Sequence, residues 1–183
     1  MWYNIPNAFS REYCKEIIDY FNTKDLEVAT LGDGAVNTSI RETDIRFVAT
    51  IPENNLFEQN LHFCVDRVIQ QGNTEWFGYD LAHNEAPQFG KYKSETKGFY
   101  DWHIDKLNDN KKFIRKLSVV ILLNDTTEYT GGRLELDHNE APKNFLNAGD
   151  AVLFPSYLKH RVTPVETGDR YSLVCWSSGP AWR

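Results

Sequence analysis

Two histidines and one aspartate are the residues of this chain whose types and spacing first suggest chemistry. His103-Ile-Asp105 lies within Phe99-Tyr-Asp-Trp-His-Ile-Asp105, a run rich in strand-favouring residues. Positions i and i+2 of a strand point to one face, so His103 and Asp105 can converge on a single ion. A third ligand is offered by His160, which follows Gly149-Asp-Ala-Val-Leu-Phe-Pro155, a turn leading into a buried strand. Two imidazoles and one carboxylate form the facial set that holds non-haem Fe(II) with positions left open. The same three donors with a water also make a catalytic zinc set, so the ligands alone leave both metals open. The other His-x-acid pairs, His83-Asn-Glu85 and His138-Asn-Glu140, belong to two copies of His-Asn-Glu-Ala-Pro at 83–87 and 138–142. These read as turns, where strand alternation is not enforced. His62 reads as helix surface.

Arg170 adds a second requirement. It stands ten residues after His160 and opens Arg170-Tyr-Ser-Leu-Val-Cys-Trp176. Residues 160–165 and 170–177 read as a hairpin about Thr167-Gly-Asp169, with Glu166 facing Arg170 and His160 sharing its face. Alternation along the last strand places Arg170, Ser172, Val174 and Trp176 together. An arginine aimed into a barrel is costly unless an anion meets it. A dicarboxylate bound to the metal at one end would present that anion at the other, where a guanidinium grips it with two parallel bonds.

These side chains need a scaffold, and the hydrophobic pattern describes one. Ser10 is an N-cap for a helix in which Tyr13, Ile17 and Phe21 recur at helical spacing, ending at Asn22-Thr23. Residues 28–51 read as extended, with a turn at Gly32-Asp33-Gly34 and a β-branched run from Ile45 to Ile51. A second helix spans about 55–71, with Phe57, Leu61, Cys64, Val65 and Val68 as its stripe and Gly72 as its C-cap. From there, short strands are expected near 76–82, 88–93, 98–105, 115–123, 133–137, 144–146, 151–154, 160–165 and 170–177. The fold class is therefore mostly β (α+β): a jelly roll, or double-stranded β-helix, backed by two N-terminal helices. One domain is expected over 1–183, with support from 1–75 and the core at about 76–178.

The 183 residues are 41% hydrophobic, enough to bury a real core and to exclude global disorder. Twenty basic against 26 acidic side chains give a net charge of -6. That balance argues against a broad nucleic-acid surface, even with the basic run at 111–116. Cys14, Cys64 and Cys175 are odd in number and contain no Cys-x-x-Cys, which reads as three reduced thiols in a cytoplasmic protein. No segment has the length of a membrane span, and the N-terminus lacks the pattern of an export leader.

His103-x-Asp105, His160 and Arg170 together resemble the iron/2-oxoglutarate-dependent dioxygenases, and among them the prolyl 4-hydroxylase and PKHD-type hydroxylase group. Gln88-Phe-Gly-Lys-Tyr92, Arg115-Lys-Leu-Ser118 with the following apolar strand, the Gly131-Gly132 turn and Gly168-x-Arg170-x-Ser-Leu-x-x-Trp176 extend the likeness. Arg133 departs from it, standing where the family commonly has an acid. The resemblance implies Fe(II) on His103, Asp105 and His160, and 2-oxoglutarate with its far carboxylate on Arg170 and a hydrogen bond from Tyr92. It also implies ascorbate as a reductant and hydroxylation of a prolyl residue in a peptide or protein, with succinate and CO2 released. A free amino acid or other small molecule is the rival substrate, and a non-catalytic jelly-roll module the rival class. Arg115 is expected to meet substrate at the pocket mouth, Trp176 and Trp102 to wall the pocket, and the polar loop at 30–44 to frame it with the segment after Asp105.

Overall fold

The computed structural model describes residues 1–30, 36–49, 55–105, 112–137 and 145–182. Its elements in chain order are β1 (Tyr3–Ile5), α1 (Arg11–Asn22), β2 (Glu27–Val28), β3 (Arg41–Glu42), β4 (Asp44–Phe47) and α2 (Leu56–Gly72). There follow β5 (His83–Asn84), β6 (Gln88–Lys93), β7 (Phe99–His103), β8 (Phe113–Leu122), β9 (Thr130–Gly131) and β10 (Leu134–Leu136). The chain closes with β11 (Ala151–Pro155), β12 (His160–Val162), β13 (Val165–Thr167) and β14 (Asp169–Pro180).

The large sheet runs β1-β11-β8-β14-β6-β4-β2, with β5 added beside the end of β14. The small sheet runs β10-β12-β7-β3, and β13 pairs β9 apart from both. Both sheets are antiparallel and face each other, which is the expected double-stranded β-helix. β8 shows why its sequence from Val119 to Leu122 is a continuous apolar run. Leu117, Val119 and Ile121 pack outward against Ile17, Phe21, Leu61 and Val65 of the helices. Val120 and Leu122 pack inward with Leu134, Phe154 and Val162 of the opposite layer. A strand covered on both faces has no polar side to show. Phe21 stacks on Phe89 of β6 at 4.7 Å, fixing α1 against the sheet.

The helices start as their sequences predict. Ser10 Oγ accepts from Tyr13 N at 3.1 Å, and Asn55 Oδ1 accepts from Glu58 N at 3.2 Å. Four expectations need correction. Gly72 does not cap α2, because the chain winds on through a π-turn at Asn73–Phe77 and stops at Gly78, whose φ is +62°. A Cβ on Gly72 would lie 2.6 Å from Leu153 Cδ2, so this glycine serves close helix–sheet packing. For the same reason there is no strand over 76–82. Phe145 and Leu146 are likewise not in a strand.

The fourth correction concerns 160–177, which is not a hairpin. His160 lies on β12 of the small sheet and Arg170 on β14 of the large one, so they meet across the barrel and do not share a face. Glu166 is exposed on β13 and does not face Arg170. The tips of the 30–44 loop (31–35), the end of the Ile45–Ile51 run, the segment 106–111 and the second His-Asn-Glu-Ala-Pro copy lie outside the described residues. Cys14, Cys64 and Cys175 are free thiols. Among the described residues no helix is long and apolar enough to cross a membrane.

Candidate active site

The site forms where β7 of the small sheet meets β12, just inside the barrel. His103 and His160 are paired directly across these strands. Between Tyr100 and His103 β7 carries one residue more than β12 does between Val162 and His160. This bulge resets the alternation. Tyr100 and His103 therefore both face inward, their rings stacked at 3.5 Å. Trp102 is turned outward, its ring beneath Arg161 at 4.8 Å, and it does not line the cavity as a pocket wall. Asp105 lies just past the strand, held by its N–H donating to Ser156 O at 2.9 Å.

The ligand atoms of His103, Asp105 and His160 all lie within 4.8 Å of one another. His103 Nε2 is 3.6 Å from Asp105 Oδ1, and His160 Nε2 is 3.4 Å from Asp105 Oδ2. Each imidazole makes its Nδ1 contact with a backbone carbonyl, His103 to Asp101 O at 2.7 Å and His160 to Leu158 O at 2.9 Å. Nδ1–H donation to those carbonyls leaves both Nε2 atoms as bare donors toward a metal. Burial, reinforced by the neighbouring His160, pushes the His103 imidazole down to about 4, which keeps it neutral and ready to ligate. Burial alone would raise the Asp105 carboxyl. His160, His103 and the Ser118 hydroxyl outweigh it and hold Asp105 below its ordinary value.

Ser118 is a residue whose role the sequence reading passed over. Its hydroxyl donates to Asp105 Oδ2 at 2.7 Å and lies 2.9 Å from Ser156 Oγ. A serine on the inward face, directly before the apolar run Val119–Leu122, is the feature that marks it. Trp176 sits opposite Ser118 on β14, and its indole Nε1 acts on the Asp105 carboxylate without reaching hydrogen-bond geometry.

These ligands line a cavity of about 220 Å³ that runs to Arg170. As the alternation required, Arg170, Ser172, Val174 and Trp176 all face it, joined by Gln88 and Tyr92 from β6. Arg170 is 1% exposed. Its Nη1 donates to Ser172 Oγ at 3.0 Å, and its Cζ lies 5.1 Å from the centre of the Tyr92 ring. Nε and Nη2 are buried with no acceptor. The Gly131-Gly132 turn admits it: a Cβ on Gly132 would stand 3.0 Å from Arg170 Cδ. A three-donor N, O, N cluster at one end and an unanswered guanidinium at the other fit a ferrous ion and a dicarboxylate.

Arg115 also lines the cavity, but its charge is answered. Nε and Nη2 bind the two oxygens of Glu85 at 2.7 and 2.5 Å, and the guanidinium lies 4.0 Å from the Trp176 ring centre. Glu85 belongs to the first His-Asn-Glu-Ala-Pro copy. His83 of that copy meets Phe113 edge to face and joins no ligand cluster among the described residues. His62 stands on α2 with Nε2 2.9 Å from Ala49 O.

Comparison with known proteins agrees with this geometry. A family model described as the 2OG-Fe(II) oxygenase superfamily matches residues 87–178. A PKHD-type hydroxylase of Pseudomonas fluorescens is 27% identical over 97% of this chain and 78% of its own length. One from Nitrosomonas europaea is 35% identical over 78% of this chain and 64% of its own. Among solved structures, a Pseudomonas putida prolyl-4-hydroxylase superposes with a TM-score of 0.74 at 20% identity, covering 98% of this chain and 93% of that one. A prolyl hydroxylase from Trichoplax adhaerens, solved with a hypoxia inducible factor peptide fragment, gives 0.76 at 21% identity, covering 96% and 82%.

Proposed function

We propose a division of labour and a substrate for a chain that belongs to the 2OG-Fe(II) oxygenase superfamily and is a 2-oxoglutarate-dependent dioxygenase. His103, Asp105 and His160 hold Fe(II). Arg170 receives the far carboxylate of 2-oxoglutarate, with Tyr92 beside it. When bound, the iron and 2-oxoglutarate supply an O2-dependent oxidation that turns a substrate C–H into C–OH, releasing succinate and CO2.

The residues of the chain orient and protect. Ser118 and the Asp105 N–H fix the carboxylate; the two carbonyls fix the imidazoles. Arg170, buried with two unsatisfied N–H-bearing nitrogens in the cavity that holds the ligand cluster, is the observation that carries the reading. The prime substrate is a prolyl residue of a peptide or protein, a choice supported by the likeness to prolyl hydroxylases. Trp176 and Arg115 flank its path, and three free thiols support work in the reducing cytoplasm. The test is a screen of proline-containing peptides against free amino acids with Fe(II), 2-oxoglutarate and ascorbate, reading products 16 Da heavier together with succinate. Peptide hydroxylation is the expected result. Hydroxylation of free amino acids alone would replace the peptidyl substrate.

A further inference from the structure

The cavity is lined by three arginines, and their counterions differ. Arg115 is neutralised by Glu85, and Arg170 is assigned to 2-oxoglutarate. Arg41, on β3 at the edge of the small sheet, is 8% exposed and lines the same cavity as the ligand cluster. Its Nη2 donates to Gln88 Oε1 at 2.8 Å, a neutral partner, and its Cζ lies 4.6 Å from the Tyr100 ring centre. Nε is buried without an acceptor, and among the described residues no carboxylate lies in ion-pair range of this guanidinium.

The charge balance makes this significant. Ferrous ion and the 2-oxoglutarate dianion cancel, Asp105 cancels Arg170, and Glu85 cancels Arg115. Among the described residues Arg41 is left as one uncompensated positive charge in the cavity that holds the ligand cluster. A buried guanidinium is disfavoured without an anion. Its planar fork, packed over the Tyr100 ring, matches a carboxylate in particular.

We propose that Arg41 selects the prime substrate, and that this substrate presents a carboxylate to it. The carboxylate comes either from a free amino or imino acid or from an acidic or C-terminal residue of a peptide. The inference rests on the dioxygenase reading above and deepens it. The cavity of about 220 Å³ must also hold the metal and 2-oxoglutarate, so only a small part of the prime substrate can enter it.

The test uses matched acid and amide probes: L-proline against L-prolinamide, Gly-Pro against Gly-Pro-amide, and Asp-Pro-Gly-amide against Asn-Pro-Gly-amide. Anaerobic Fe(II) and 2-oxoglutarate give a visible metal-to-ligand band, and each probe is titrated by its perturbation of that band. The acids are expected to bind at least ten-fold more tightly than the amides, and whichever pair shows the difference identifies the source. Arg41→Gln should erase that preference, with Arg41→Lys between. Gln88→Glu keeps the shape of Gln88 and gives Arg41 an internal carboxylate, so it should also weaken the acids ten-fold or more. The band in every sample separates a misfolded variant from one that has lost only the anion. Equal binding of acids and amides, no binding of any acid by the wild type, or undiminished acid binding in Gln88→Glu would each overturn the proposal. Absence of the band in the wild type would instead overturn the dioxygenase reading and take this one with it.

Discussion

Replacing Arg170 should do two things of opposite sign. In the protein without cosubstrate the guanidinium is 1% exposed; it meets Ser172 Oγ at 3.0 Å, the Tyr92 ring and the nearby Tyr129 hydroxyl but no carboxylate among the described residues, with Nε and Nη2 lacking a hydrogen-bond acceptor. Arg170→Met keeps much of the volume and removes the uncompensated charge. Unfolding free energy of this form should be unchanged, or raised by about 1–4 kcal/mol, as when buried ionic groups give way to apolar ones of similar size. Deleting one partner of a buried, hydrogen-bonded charge pair costs about 2–5 kcal/mol of binding. At ~1.4 kcal/mol per decade, 2-oxoglutarate affinity should fall about 30-fold to 4,000-fold. Arg170→Lys should be intermediate, because the charge survives and the fork does not. Urea unfolding without ligands, and anaerobic titration of 2-oxoglutarate against the visible band of the Fe(II) protein, measure the two effects. Affinity within three-fold of wild type would refute the assignment of Arg170. A loss of several kcal/mol in the ligand-free protein would show that the guanidinium is already satisfied inside the fold.

Ser118→Ala removes the 2.7 Å bond to Asp105 Oδ2 and should lower Fe(II) affinity about 10–100-fold in anaerobic metal titration; a change under two-fold would end its positioning role. Gly131 has φ +72°, and a Cβ there would lie 2.0 Å from Pro164 O, so Gly131→Ala should cost more than ~2 kcal/mol by urea unfolding, and a wild-type midpoint would contradict the turn geometry. Burial pushes the thiols of Cys14 and Cys175 up to about 12, so iodoacetamide at pH 8 should label neither until the chain unfolds. The unfolded chain releases these protons near pH 9 while the folded one keeps them, so stability should be level below pH 9 and fall as pH rises toward 12. Urea midpoints at pH 8 and 10 measure this, and a fall undiminished in Cys14→Ala would exclude that thiol as its source.

The sequence by itself determined the set His103, Asp105, His160 and Arg170 and the layers that carry it. Short-range periodicity was enough for this. The cap at Ser10, the stripe of α2 and the inward set Arg170, Ser172, Val174 and Trp176 follow from backbone repeats of 3.6 and 2 residues. The strand partners were decided only in three dimensions. His160 and Arg170 look like neighbours on a hairpin because ten residues separate them, yet they belong to opposite sheets. Local pattern records which face a residue shows, and not which strand its backbone bonds to. One extra residue in β7 turned Tyr100 inward beside His103, a bulge that leaves no mark in residue types. Gly72 reads as a cap in sequence because the side chain that requires a glycine there, Leu153, lies 81 positions away. Arg41 and Glu85 were invisible as site residues for the same reason. A charge acquires its meaning from the counterion that tertiary packing supplies or withholds, and the fold gives Glu85 to Arg115 while, among the described residues, Arg41 has the neutral Gln88 and the Tyr100 ring.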